Sequence, residues 1–318
     1  MLDKEKNYSK IVSDLGLGLS AAKGQSIQVR NCWHFYTSGD SVEVMFRNDE
    51  EFRDGMNRIM SVIVRYDVLI LAFVLMDTHV HFILYGEFDS CNLFIHDYIK
   101  LTSMYISSTT TKRKALTEIE ISHQRIDDDR YLKTAICYVV KNPFSAGLPY
   151  SLIDYPWGSG ALYFRLSRQW TSPKWLLGIE DNIQKNQDIR KLTKSRVRIK
   201  DSLLAINGVI VPTQYVAVDI VEQLFRSHKA YNYFLISAKD TDIESLGGSI
   251  SQLSVPLAEM RENRRILSEE LFGVQDLRGL NMEQRVRLAR AMKSRYYCSP
   301  KQIARVCGLV FDEVKGLL

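Results

Sequence analysis

The spacing of apolar and polar residues in the first half of the chain predicts a sheet with helices packed on it. Apolar positions recur every three or four residues over 49–66 and 92–108, which is typical of amphipathic helices. Residues 28–37 and 41–46 read as the two strands of a hairpin, and residues 67–75 and 79–86 read as buried strands. We therefore expect an α+β fold, an antiparallel sheet with packed helices.

A further helix is predicted to begin at Asp128 or Asp129. Acidic residues suit a helix N-terminus, and the residue before a proline avoids the helical conformation, so Pro143 predicts an end at Asn142. The polar stretch 109–127 predicts a flexible loop over a substrate.

The second half of the chain is predicted to be mainly helical. Residues 214–226 and 285–297 have helical spacing, Ser299 and Pro300 suit the start of another helix, and Gly308 predicts a turn before a last helix at 311–318. This end resembles a helix-turn-helix of bacterial DNA-binding domains, although a plain helical packing unit fits equally well. In the first case Lys301, Gln302 and Lys315 are placed near DNA.

These patterns predict three regions. The sheet with its helices covers residues 1–168, a helical extension of unknown role with a basic linker covers 169–260, and the helix-turn-helix-like segment covers 261–318. No apolar run is long enough to span a membrane, and the N-terminus lacks the pattern of a signal peptide, so we expect a cytoplasmic protein with no membrane partner.

Charge and cysteine usage refine this picture. The net charge is +5, and residues 171–318 hold 23 Lys and Arg against 17 Asp and Glu, so the excess lies in the second half. The five cysteines are scattered with no CxxC pair, which predicts reduced core thiols and neither a disulfide framework nor a zinc knuckle. They are Cys32, Cys91, Cys137, Cys298 and Cys307.

Much of the positive charge lies in residues 185–200, which contain seven basic side chains and one acidic one, Asp188. The segment is either a solvated linker or a stretch that follows a nucleic-acid backbone and binds its phosphates. In the second case the candidate phosphate ligands are Lys191, Lys194, Arg196 and Arg198.

The densest candidate chemistry is a His-Val-His sequence at the start of an apolar run. Alternate residues of a strand share a face, so His79 and His81 can bind one divalent ion while Val80 faces the core. About sixty residues later, Tyr138 and Asn142 lie one helical turn apart, so that a nucleophile and a ligand can share a helix face. The structural alternatives are hydrogen-bonded strand histidines and a packing tyrosine.

Three stretches together resemble one family. Residues 71–81, 138–148 and 154–159 are similar to the REP-associated tyrosine transposases, which belong to the HUH single-tyrosine group, and the resemblance spans roughly residues 28 to 165. It implies an HUH nuclease-like fold and makes residues 1–168 the catalytic domain. The family usually has Asn where this chain has Thr78 and Arg where it has Ser145.

The resemblance also implies a chemistry. His79, His81 and Asn142 would bind Mg or Mn, which polarises a DNA phosphodiester, and Tyr138 would attack it to form a covalent phosphotyrosine. In the family the tyrosine joins the 5′ phosphate and a 3′ hydroxyl is freed. No further ligand lies close by in sequence to complete a closed structural zinc site. Lys141, between Tyr138 and Asn142, is a further candidate DNA contact.

Two classes of function remain open. The first is a metal-dependent transposase-like enzyme that cleaves and transfers strands of single-stranded or hairpin DNA, with a homodimer possible. The second is a domesticated, non-catalytic DNA-binding protein that recognises a sequence or a hairpin. A two-histidine phosphodiesterase would need a second HxT or HxS motif, which the other histidines do not supply, and His34 is interpreted as a hydrogen-bonded strand residue and not a fourth ligand.

Overall fold

A computed structural model describes most of the chain. The described residues are 4–20, 25–37, 45–109, 119–164, 180–183, 186–197, 199, 203–237, 257–295, 303–304, 306–309 and 314. Contacts divide the chain into two compact units, residues 1–143 with 150–248 and residues 144–149 with 249–318. Each unit is described by itself.

The first unit is built on a four-stranded antiparallel sheet with the strand order β2-β3-β1-β4. Its elements in chain order are α1 (Lys4–Leu15), β1 (Gln28–Thr37), α2 (Asp49–Ile63), β2 (Leu69–Leu75), β3 (Val80–Tyr85), α3 (Phe88–Thr109), β4 (Ile121–Asp128) and α4 (Asp129–Ser145). The α+β class and the antiparallel sheet are confirmed.

The register of the two central strands assigns their side chains to faces. Tyr36 lies opposite His81 and Trp33 lies opposite Leu84 across the β1–β3 pair. Directly opposed residues share a face, so the face of His81 also carries Tyr36 and, two residues earlier on β1, His34. The chain therefore places one histidine of β1 beside the histidine of β3.

Helices cover both faces of this sheet. On one face, Phe82 packs against Phe94 and Tyr98 of α3, with ring centroids 5.6 and 5.2 Å away. On the other face, Asp14 of α1 accepts a hydrogen bond from the Tyr85 hydroxyl at 2.9 Å. Helix α2 begins where the Asn48 side chain accepts from the backbone N–H of Glu51 at 3.0 Å, an N-cap.

Residues 155–159 run along the outer edge of β2. Ser159 Oγ accepts from the N–H of Phe73 at 3.0 Å, and the backbone N–H of Leu75 donates to the Trp157 carbonyl at 2.8 Å. Gly158 permits this approach, because a Cβ there would lie 3.2 Å from the Phe73 oxygen. The segment satisfies backbone groups that an edge strand leaves unpaired, which explains why every residue of β2 is buried.

A second, three-stranded antiparallel sheet follows in the same unit. It consists of β5 (Glu180–Ile183), β6 (Leu203–Ile206) and β7 (Val209–Ile210), with helices α5 (Asn186–Thr193), α6 (Val218–Phe225) and α7 (His228–Ser237) around it in sequence. The side chain of Asn57 on α2 donates to the Gly208 carbonyl at 2.7 Å and accepts from the Ile210 N–H at 2.8 Å. These bonds join the second sheet to α2.

The second unit contains two long helices, α8 (Leu257–Phe272) and α9 (Met282–Arg295), and a helical segment that ends at Gly308, where φ is +64°. Its core contains Met260, Leu267, Leu288, Met292 and Cys307. The Arg285 guanidinium on α9 donates to the carbonyls of Leu277 and Gly308 at 2.7 and 3.4 Å. The predicted turn at Gly308 is confirmed, whereas Lys301, Gln302 and Lys315 lie outside the described residues.

Three sequence predictions are wrong in detail. Met45 and Phe46 form no strand beside β1; their N–H groups bind the Asp77 carbonyl, and residues 41–44 lie outside the described part. The end of the predicted loop 109–127 belongs to the edge strand β4. Its side chains are mostly polar, so the sequence shows no strand pattern there. Helix α4 continues past Pro143 to Ser145, because a proline in the last turn removes only one helical hydrogen bond.

The predicted helical extension is also partly wrong, since residues 180–210 contain three strands. Strands of two to four residues are too short to show a period of two in the sequence. No division between the units falls at residue 168. The helix predicted at 214–226 is present as α6, with a short 3₁₀ turn before it at Pro212–Gln214.

The structure bears on the predicted state of the cysteines and on the predicted lack of a membrane span. Four cysteines in the described part of the chain are free and buried: Cys32, Cys91, Cys137 and Cys307. Cys298 lies outside that part. Among the helices of the described residues, none is both long and apolar enough to cross a membrane.

Candidate active site

The His79–His81 pair lies where β2 turns into β3. The carbonyl of Asp77 accepts from the backbone N–H groups of Met45 and Phe46, and the N–H of Met76 donates to the His79 carbonyl at 2.8 Å. These backbone bonds fix the turn from both sides. The rings of His79 and His81 then stand on one face, with centroids 5.0 Å apart and planes at 89°.

Asn142 on α4 completes a three-residue cluster. Its amide Oδ1 lies 3.3 Å from His79 Nε2, and its Nδ2 lies 3.4 Å from His81 Nε2. All three side chains are buried, with 6%, 1% and 4% of the surface of His79, His81 and Asn142 exposed. Asn142 thus lies beside two histidines that are more than sixty positions earlier in the chain.

The outer nitrogen of each histidine is also bonded. Thr78 Oγ1 lies 2.9 Å from His79 Nδ1, and His34 Nε2 lies 3.0 Å from His81 Nδ1. A histidine whose second nitrogen is held in this way has a fixed ring orientation, as is usual for metal-binding histidines. Both Nε2 atoms therefore converge on Asn142 in defined positions.

The site favours neutral imidazoles. Burial, followed by the neighbouring His79 and His34, lowers the pKa of His81 well below its ordinary value of 6.5. Burial alone lowers the pKa of His34 to about 3. A neutral imidazole keeps one nitrogen lone pair, which is the form that binds a cation or accepts a hydrogen bond.

Tyr138 lies at the edge of the same cluster. Its ring is perpendicular to that of His81, with centroids 5.6 Å apart, and only 5% of its surface is exposed. The ring of His34 is also close, at 6.1 Å. Tyr138 and Asn142 share one face of α4, so a single helix delivers both to the histidine pair.

These donors suit a divalent cation. Two donors at about 2.1 Å from an ion lie about 3.0 Å apart at a right angle and about 3.4 Å apart at a tetrahedral angle. The separation of 3.3 Å between Asn142 Oδ1 and His79 Nε2 falls in that range, whereas the 3.4 Å contact with His81 is made by Nδ2, an amide nitrogen that does not bind a cation. In the described part of the chain no group of three or more His, Cys, Asp or Glu side chains could bind a metal, so the candidate set is two imidazoles and one amide.

The candidate DNA contacts fall into two groups. Lys141 is half-buried on α4, and Lys191 and Arg196 are exposed on and after α5. Lys194 is engaged with the protein: its Nζ lies 3.4 Å from Asp54 Oδ1 and 3.6 Å from the centre of the Tyr105 ring. Arg198 lies outside the described residues.

The sequence assigns no role in the site to two of its residues. In the sequence, Thr78 is notable only because the family that the chain resembles usually has Asn at that position. His34 is interpreted from the sequence as a hydrogen-bonded strand residue. Nε2 of His34 is bonded as that interpretation requires, but its Nδ1 is buried without a hydrogen-bond partner among the described residues. The strand register that places His34 beside His81 has no signature in a single sequence.

Comparisons with known proteins are sparse. No family model matches the chain, and no curated protein matches it. Among solved structures, a REP-associated tyrosine transposase bound to a REP hairpin aligns with 44% of this chain and 82% of its own, at 14% identity and a TM-score of 0.29. Values this low do not establish a common family.

Proposed function

We propose that this protein cleaves and transfers strands of single-stranded or hairpin DNA through a phosphotyrosine at Tyr138. His79, His81 and Asn142 would bind the divalent cation, Mg or Mn, that the reaction needs. One observation carries the proposal: the Asn142 amide contacts Nε2 of both histidines while the Tyr138 ring lies against His81.

The residues have separate tasks in this proposal. Oxygen donors and imidazoles suit a divalent cation, which would neutralise charge on the scissile phosphate and favour the Tyr138 phenolate. The Tyr138 oxygen forms the new bond to phosphorus, the bond from phosphorus to the 3′ oxygen breaks, the phenol proton passes to solvent, and the leaving 3′ oxygen takes a proton from solvent. The products are a 5′ phosphate ester of Tyr138 and a free 3′ hydroxyl.

The buried position of the site fits this task. A site removed from water would strengthen the attraction between a bound cation and a phosphate. Rigid elements hold its parts, because His81 lies on a central strand and Tyr138 on a helix that packs beside it. Positioning of this kind supplies much of the rate of a displacement at phosphorus.

The test uses hairpin-bearing single-stranded oligonucleotides with Mn or Mg, and a denaturing gel that separates a covalent adduct from free DNA. We expect an adduct with the wild-type protein that requires metal and is lost in Tyr138→Phe and His81→Ala. Tyr131→Phe is the matched control, because Tyr131 lies two turns earlier on α4, is also buried, and makes no hydrogen bond through its hydroxyl in the described structure.

Each outcome decides between the two classes of function. Tight DNA binding without an adduct under all conditions would support the domesticated binder and contradict the enzyme. An adduct that persists in Tyr138→Phe and disappears in Tyr131→Phe would show that Tyr131 is the nucleophile and Tyr138 is not. Mass spectrometry of the adduct peptide then identifies the attached residue.

A further inference from the structure

His34 is a third histidine in direct contact with the candidate site. It lies on β1, is completely buried, and its ring is 5.2 Å from that of His81 at an angle of 30°. Its Nε2 is within hydrogen-bond distance of His81 Nδ1, at 3.0 Å. Its Nδ1 has no hydrogen-bond partner among the described residues.

A hydrogen bond between two neutral imidazoles requires that one ring donates and the other accepts. If His81 donates through Nδ1–H, its Nε2 keeps a lone pair that points towards Asn142. If His34 donates through Nε2–H, His81 must carry its own proton on Nε2, and that nitrogen can no longer bind a cation. The proton between the two rings therefore decides whether His81 is a ligand.

The contacts of Asn142 favour the first arrangement. Its Nδ2, which can only donate, faces His81 Nε2 at 3.4 Å, and its Oδ1 faces His79 Nε2 at 3.3 Å. His81 Nε2 is then an acceptor, and its proton lies on Nδ1, towards His34. This arrangement leaves the Nδ1–H of His34 buried without an acceptor among the described residues, which is a feature that calls for an explanation in a folded protein.

An apolar residue at position 34 would avoid this unsatisfied group. A histidine there can accept the His81 Nδ1–H, which an apolar residue cannot do. At the other histidine the Asn142 Oδ1 contact requires the proton on His79 Nε2, so the Thr78 hydroxyl, 2.9 Å from His79 Nδ1, donates there. A hydroxyl can also accept, so Thr78 permits the other tautomer of His79, in which Nε2 is free for a cation. Both histidines thus have a bonded outer nitrogen and an inner nitrogen that faces Asn142.

We propose that His34 is a positioning residue that accepts the His81 Nδ1–H and so presents the Nε2 lone pair of His81 to a divalent cation. The inference rests on the proposed function for the presence of that cation. It concerns His34 itself, which contacts neither the cation nor the substrate.

The first test reads the tautomer directly. The protein is labelled with ¹⁵N-histidine, and the His81 resonances are identified by their loss in His81→Gln. In metal-free wild-type protein we expect the proton of His81 on Nδ1. We expect the same tautomer in His34→Gln, whose amide oxygen can accept, and a shift towards Nε2–H in His34→Phe, which cannot accept.

The second test measures Mn affinity without DNA, by calorimetry or by the electron paramagnetic resonance signal of free Mn. Loss of a residue that orients a metal ligand typically weakens affinity 10–100-fold, and we expect about that loss in His34→Phe. His34→Gln should stay within a few-fold of wild type. Tyr36→Phe is the control, because the Tyr36 ring stacks at 5.8 Å from His81 and the change leaves the ring nitrogens of His81 untouched.

The outcomes separate this inference from the proposed function. Wild-type Mn affinity in a folded His34→Phe variant, or a wild-type His81 with its proton on Nε2, would overturn the role of His34 alone. A wild-type protein that binds no Mn would overturn both. If His34→Phe does not fold, the wild-type tautomer and the His34→Gln affinity still decide the question.

Discussion

Among single residues, the outer ring nitrogens of the two histidines make the hydrogen bonds that orient the candidate site. The ring nitrogens Nδ1 of His79 and His81 are held by Thr78 and His34. A ring held at one nitrogen loses rotational freedom, so the other nitrogen is aimed before a ligand arrives. Thr78 therefore places a hydroxyl beside His79 Nδ1.

Thr78→Val is expected to weaken Mn binding about 10–100-fold, the range typical for loss of a ligand-orienting group. The change keeps the shape of the side chain and removes the hydroxyl beside His79 Nδ1. Thr78→Ser, which retains the hydroxyl, should bind Mn nearly as well as wild type. Calorimetric titration of the three proteins checks this, and equal affinities would show that Thr78 does not orient His79.

At the scale of elements, α4 carries both Tyr138 and Asn142, so its start sets the position of the site. Asp129, its first residue, accepts from the Ile27 N–H at 2.8 Å and from Lys133 Nζ at 2.5 Å. Burial acts to raise the pKa of Asp129, but these hydrogen bonds and the Lys133 charge outweigh it, and the pKa lies below its ordinary value of 3.8. The ionised carboxylate thus stabilises the folded state.

Asp129→Asn is expected to lower the free energy of unfolding by about 1 kcal/mol at neutral pH, because it removes a charged hydrogen-bond acceptor. A lowered folded-state pKa means that the contribution is complete above 3.8 and is lost as the pH falls through the folded-state value. The difference between variant and wild type should therefore vanish in acid. Urea unfolding at several pH values measures it.

Asp127→Asn is the control for this experiment, since Asp127 is exposed on β4. It should leave the unfolding free energy unchanged at every pH. A constant deficit of Asp129→Asn from neutral pH into acid would contradict a role for the charge and indicate a packing effect.

The outer edge of β2 is a second element on which the site depends. Ser159→Ala removes the acceptor of the buried Phe73 N–H, and an unsatisfied buried donor costs about 1–3 kcal/mol. We expect a corresponding loss in unfolding free energy, measured by urea titration. Ser151→Ala is the matched control at an exposed serine, and equal stability of the two variants would show that residues 155–159 do not support the strand.

In the molecule as a whole, the excess positive charge lies in the second half of the chain, and its basic residues differ in how closely they contact the rest of the protein. Lys191, Lys194 and Arg196 are all exposed, but Lys194 also contacts Asp54 and the Tyr105 ring. The contacts of Lys194 with Asp54 and Tyr105 stabilise the folded protein, and they would have to break before Lys194 could bind a phosphate. The basic segment therefore contains both kinds of residue.

Substitution of Lys191 or Arg196 by Gln is expected to weaken DNA binding. Each substitution should reduce the slope of log K against log salt concentration by about one for every phosphate that the protein no longer neutralises. Lys194→Gln should instead lower the thermal unfolding temperature and leave that salt dependence nearly unchanged. Binding titrations at several salt concentrations, paired with thermal unfolding, test this. A reduced salt dependence in Lys194→Gln alone would reverse the assignment.

Longer elements were predictable from the sequence and shorter ones were not. Helix α2 and strand β2 show clear periodic or continuous apolar patterns, and both are present near their predicted bounds. Strand β4 was missed, because in an edge strand only Ile126 is fully buried and the remaining residues have the polar composition of a loop. The strands of 180–210 were missed because they are too short to show a period.

The pattern of residues predicts the order of the elements around the site, the shared face of His79 and His81, and the shared face of Tyr138 and Asn142, because each follows from the period of a single strand or helix. Tertiary structure alone decided that His34 bonds His81 and that Lys194 lies against Asp54. Both contacts join residues that are distant along the chain, and strand register and helix packing set them. No local pattern of residues carries that information.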